Sequence, residues 1–180
     1  MFRRRRGTDM QEIEYIEMPQ PLGIFAGDLY DRGIGYLSAF EVLSRENNQT
    51  LLYASYFLFA HSLELLLKSF LAARGTTKKA IRDFGHNLPE IFRACVQQSI
   101  PKVADLEPYV HHTFEMNRDF DFRYPSGYNL SMPSPKECVP IARALANTIE
   151  PIINRTRIDA NLQFASDTRQ FRGKKVRWSD

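Results

Sequence analysis

The sequence predicts an all-α domain, an antiparallel, up-and-down helical bundle of four to five helices. Three observations point there. Apolar residues recur at three- and four-residue spacing through several long segments, no hairpin signal or strand pair stands out, and no internal repeat is present. At 180 residues the chain has the length of one domain with a sizeable core. The expected division is a basic, extended arm over 1–22, the helical bundle over 23–157 and a basic, flexible tail over 158–180.

The elements follow in order. From about Phe25 to Glu46, the positions Leu29, Ile34, Leu37, Phe40 and Leu43 mark a first helix, with Gly33 and Gly35 either weakening its first half or permitting close packing. Glu46-Asn47-Asn48 reads as a turn, and Thr50 as the cap of a second helix that runs to Ala73 and stops near Gly75. Thr76 or Thr77 caps a short basic turn, Lys78 to Asp83, before Gly85-His86. A third helix starts near Leu88 with Pro89 in its first turn, where a missing N–H costs nothing. Another covers Val103 to about Asn117, interrupted or started afresh near Pro108. Residues 120–135, "FDFRYPSGYNLSMPSP", read as a structured loop. The last helix spans about Pro135 to Arg155 along Val139, Ile141, Leu145, Ile149 and Ile152, with Pro151 placed to kink its end.

Composition narrows the class. Hydrophobic residues make up 43% and charged residues 25%, the balance of an ordinary globular chain. Two cysteines, Cys95 and Cys138, are too few for a disulfide framework and lack metal-ligand spacing, so a reducing cytoplasm is the expected setting. Arg3 to Arg6 are followed by no apolar signal-peptide core. The run Leu51 to Ala73 approaches spanning length, but His61, Glu64 and Lys68 near its middle make membrane insertion costly. The net charge of +3 is unevenly spread. Arg3 to Arg6 are all positive, seven basic residues oppose three acidic ones between Arg155 and Asp180, and the middle is mildly acidic. Basic ends suit phosphate-rich partners, because neutralised phosphates release counterions. Phe171 and Trp178 in the tail are available to stack on bases.

The most informative stretch is "YFLFAHSLELLLKSFLA", residues 56–72. At about 100° per residue, His61, Glu64 and Lys68 fall within a stripe about 60° wide on a helix that is otherwise apolar. Glu64 precedes Lys68 by four residues, the favourable order for an intrahelical ion pair. The stripe is either the wet edge of a core helix or one wall of a site. Elsewhere there is no phosphate-cradling glycine loop, no HExxH pattern and no strained serine elbow. His111 and His112 are neighbours that point about 100° apart, poor geometry for shared metal binding. Cys95 falls on an apolar helix face and reads as core. Neither metal nor cofactor is expected.

Taken together, Glu64-x-x-x-Lys68, the step Gly85-His86-Asn87-Leu88 that opens the next helix, and the Arg123-Tyr124-Pro125 loop before the last helix resemble the HEPN family. These are small all-helical domains associated with nucleotides and RNA, and the likeness covers about residues 25–155. It implies a polar groove shared by His61, Glu64, Lys68, His86, Asn87, Arg123 and Tyr124, with Glu64 orienting a histidine, Lys68 and Arg123 meeting phosphate, and Tyr124 stacking on a base. It also implies a homodimer, and a non-catalytic nucleotide- or RNA-binding module. The alternatives are a metal-independent ribonuclease of toxin–antitoxin or phage-defence type and an interaction partner of a nucleotidyltransferase. For the ribonuclease, His86 would be the acid/base and Arg82 or Arg123 the charge stabiliser. The family's ribonuclease pattern, arginine, four to six residues, then histidine, is missing. The nearest spacing, Arg82 to His86, has three residues between.

Overall fold

The computed structural model describes residues 15–46, 48–119, 121–122, 131–171 and 174–179. Its architecture is all-α, with six helices among the described residues and one small strand pair. In chain order these are β1 (Tyr15–Pro19), α1 (Leu22–Arg45), α2 (Leu52–Ala73), α3 (Lys78–Asp83), α4 (Leu88–Gln97), α5 (Leu106–Asn117), α6 (Pro135–Asp167) and β2 (Lys175–Ser179).

α2 is the central element. Every residue from Ser62 to Ala72 is buried, because α1 and α6 cover two of its sides and α4 a third. Phe40, Phe59, Leu63, Leu66, Phe70, Ile91, Leu145 and Ile149 meet in one core with almost no exposed area. The two serines inside this apolar run are satisfied locally: Ser62 Oγ donates to Phe59 O at 3.0 Å and Ser69 Oγ to Leu66 O at 2.7 Å. Residues Gln49–Ala73 are long and apolar enough to cross a membrane by length and composition alone. The same composition is what a helix covered on several sides by protein requires.

α1 and α6 approach unusually closely at Gly23. A Cβ there would stand 2.3 Å from Thr156 O and 2.7 Å from the Ala160 Cβ, so no side chain fits. Arg143 ties the same two helices, donating from Nε to Glu41 Oε1 at 2.6 Å and from Nη2 to Ser38 Oγ at 3.0 Å.

Several local expectations change. Asn48 rather than Thr50 caps the entry to α2, accepting from the Thr50 N–H at 3.0 Å across a single 3-10 turn. Thr77 caps α3, accepting from Ala80 N. α6 is not confined to Pro135–Arg155 but continues to Asp167, and it runs through both Pro140 and Pro151. The two ends read as extended and flexible also contain structure. Residues 15–19 and 175–179 form a parallel pair, Tyr15 opposite Lys175 and Pro19 opposite Ser179. Trp178 packs edge-on against Phe164 of α6, with ring centroids 5.1 Å apart. The arm Arg3 to Arg6 lies outside the described residues.

Candidate functional site

α2 sets the first wall. Its helical spacing places His61, Glu64 and Lys68 on one face, as the sequence pattern requires. The second wall comes from the turn between α3 and α4. Gly85 adopts φ +55°, a left-handed conformation that glycine takes without a Cβ penalty, and this turns the chain so that His86 meets Glu64. Lys68 Nζ holds that turn in place by donating to Gly85 O at 2.6 Å. Asn87 then caps α4 through its side chain, accepting from Glu90 N at 3.1 Å.

Glu64 is the hub. It is 6% exposed. Lys68 Nζ donates to Oε1 at 2.8 Å and His86 Nδ1 lies 2.9 Å from Oε2. His61 Nδ1, at 3.7 Å from Oε2, is beyond hydrogen-bonding distance and acts through its charge when protonated. Burial by itself would raise the Glu64 pKa. The contacts from His61, Lys68 and His86, and the ammonium charge of Lys68, outweigh burial and hold it down to about 2. Glu64 is therefore a carboxylate at any physiological pH, with Lys68 as its counterion.

The carboxylate in turn fixes a tautomer. An acceptor facing Nδ1 requires that nitrogen to bear the hydrogen, so His86 offers Nε2 to whatever approaches it. Its side chain is 54% exposed. His61 is more confined, stacked on Phe57 at 5.9 Å and edge-on to Tyr36 at 4.8 Å.

These groups border a pocket of about 220 Å³. α2 contributes Phe57, Ala60, His61 and Glu64, and the start of α4 contributes His86, Asn87 and Leu88. The third wall is α5, with Thr113, Phe114, Asn117 and Arg118 at its end. Thr113 is fully buried, and its hydroxyl has no hydrogen-bond partner among the described residues.

No family model, curated protein or solved structure matches the chain.

Of the residues singled out from sequence, the structure brings His61, Glu64, His86 and Asn87 to the pocket. Lys68 lies beneath it, 8% exposed, with its ammonium turned to Glu64 and Gly85 O, and does not line the cavity. Arg82 belongs to the last turn of α3 and is not part of the lining. Arg123 and Tyr124 lie outside the described residues. The α5 wall escaped sequence reasoning. Its available signal was polar Thr113 and Asn117 at the positions that continue the inward stripe from Val110. Both cysteines are buried free thiols, and burial pushes the Cys138 thiol up to about 12 and Cys95 higher still. Neither has thiolate character for nucleophilic chemistry. Among the described residues no cluster of His, Cys, Asp and Glu could hold a metal ion.

Proposed function

We propose that the chain is a HEPN-like bundle whose pocket binds a nucleotide or an RNA segment without cleaving it, and that it works as a homodimer in the cytoplasm. The observation that supports this most is the Glu64–His86 contact. A buried carboxylate, neutralised from behind by Lys68, orients an imidazole at the mouth of a cavity with aromatic walls. Such a cavity offers ring surface for a base and nitrogen donors for phosphate oxygens. Calorimetric titration of ATP, GTP and a short single-stranded RNA at low salt tests it. Heat from at least one of them is expected, and none from any would remove the proposal. Light scattering at twice the monomer mass is the expected sign of the dimer.

A second reading, metal-independent ribonuclease activity, is favoured by one observation. His86 has its Nδ1 held by a carboxylate and its Nε2 left for proton transfer, the arrangement that prepares an imidazole as a general base. RNA cleaved in EDTA by the wild type, but not by His86→Ala, would establish that reading in place of simple binding. A partner of nucleotidyltransferase type remains a proposal from the resemblance, and co-purification from native extract is its test.

A further inference from the structure

We propose that the phosphate-binding cation of this pocket is Arg118 at the end of α5, not Lys68, and that the pocket takes one phosphate-bearing nucleotide unit. The inference rests on the nucleotide reading above and deepens it.

Lys68 is already committed. Two of its three donor hydrogens go to Glu64 Oε1 and Gly85 O, and its side chain is 10% exposed. Turning it toward a ligand would strand the buried Glu64 carboxylate and release the turn that Gly85 O anchors, a costly exchange. Because Lys68 cancels the charge of Glu64, the α2 wall presents no net negative field to an incoming anion. Among the described residues, the permanent cation on the lining is then Arg118. Among the described residues it is paired with Glu115 one turn back, Nη1 to Oε2 at 3.0 Å, with both side chains more than half exposed. An exposed pair of that kind is worth little, so the guanidinium is readily exchanged onto a phosphate, where its planar fork matches two oxygens. His86 stands on the same lining and, with Nδ1–H held by Glu64, its Nε2 donates to a phosphate oxygen only in the imidazolium form.

The remainder of the cavity suits a base. Phe57, His61 and Phe114 give an aromatic surface, with the fully buried Thr113 beside it. A volume of about 220 Å³ falls below the roughly 300–1,000 Å³ usual for ligand sites. It accommodates a single unit and excludes a paired strand. The shared chemistry is a base with an adjacent phosphate, supplied either by a free nucleoside monophosphate or by the phosphorylated end of an RNA strand.

The experiment measures affinities of the full chain for the four nucleoside 5′-monophosphates, the matching nucleosides, and RNA trinucleotides with a 5′-phosphate or a 5′-hydroxyl. It compares wild type, Arg118→Gln and Glu115→Gln. Arg118→Gln should weaken phosphate-bearing ligands about ten-fold or more and leave the nucleosides within about two-fold. Glu115→Gln, which removes the competing carboxylate, should tighten the same ligands. A general disturbance of the fold would instead weaken nucleoside and nucleotide alike and would count against the proposal. Preference for the free monophosphate or for the phosphorylated trinucleotide identifies the source. If the wild type binds phosphate-bearing ligands and Arg118→Gln binds them equally well, the anchor assignment is overturned while the nucleotide reading stands. If the wild type binds none of these ligands but does bind ATP, GTP or the short RNA, the single-unit assignment is overturned; if it binds none of either set, the nucleotide reading itself falls.

Discussion

Glu64 Oε2 and His86 Nδ1 stand 2.9 Å apart across 22 residues of sequence, and Lys68 holds the other oxygen of the same carboxylate. One side chain thus joins the middle of α2 to the turn that starts α4. Its removal should be felt in stability before anything else. Glu64→Gln leaves the Lys68 ammonium buried without a counterion and is expected to cost about 3 kcal/mol in urea unfolding. Glu64→Gln combined with Lys68→Met should recover much of that loss, since an apolar stem replaces the stranded charge. Additive losses in the double variant would show that the two residues do not act as a pair.

The same carboxylate sets an acid limit. Its pKa in the folded state is depressed from 4.5 to about 2, so its contribution is fully present above about pH 4.5 and disappears as the pH falls through about 2. At about 1.4 kcal/mol for each pH unit, the window amounts to about 3 kcal/mol. The stability difference between wild type and Glu64→Gln should therefore shrink steadily from pH 4.5 toward pH 2. A difference that stays constant across that range would contradict the assignment.

Two glycines of α1 should respond to the same substitution with opposite signs. At Gly23 an added methyl meets the Thr156 carbonyl at 2.3 Å, and Gly23→Ala should destabilise by about 2 kcal/mol or force α1 and α6 apart. At Gly35 nothing lies within 4 Å, and Gly35→Ala should stabilise by about 0.5 to 1 kcal/mol through helix propensity. Thermal melts of the two variants against wild type decide the matter.

The strand pair should open before the helical core. Two strands alone are marginal in water, and this pair has ring contact with α6 through Phe164 and Trp178. Trp178 is the single tryptophan of the chain, so its emission reports that contact. In a denaturant titration the emission change is expected at lower urea than the loss of helical circular dichroism. Phe164→Ala should move the first transition and leave the second in place. Coincident transitions would mean that the pair is integral to the core.

Much of this was legible in the sequence where interactions are local. The i, i+4 relation of Glu64 and Lys68, the apolar period of α1 and α2, and a threonine cap at 76 or 77 follow from spacing alone, the structure choosing Thr77. What escaped is non-local or weakly patterned. Arg118 reaches the pocket only because α5 packs beside α4, a relation that no spacing encodes. The last turns of α6 present exposed Ile158 and Leu162 among polar residues, too sparse a stripe to announce a helix. β2 is five residues long and its partner lies 160 positions earlier, so neither strand carries a signal by itself. The resemblance to the HEPN family implies a phosphate contact for Lys68. The structure instead spends it on holding a turn.

The direction of the β1–β2 pair has a mechanical consequence. Because the strands run parallel, the chain enters at residue 15 and leaves at residue 179 from opposite ends of the ribbon, four residue steps or about 13 Å apart. Tension applied through the two termini therefore pulls the strands lengthwise past each other. Their hydrogen bonds are loaded in shear, all at once, where an antiparallel pair would be unzipped one bond at a time. A contact that yields early to heat or urea should thus be the first to bear an axial load and should resist it as a unit.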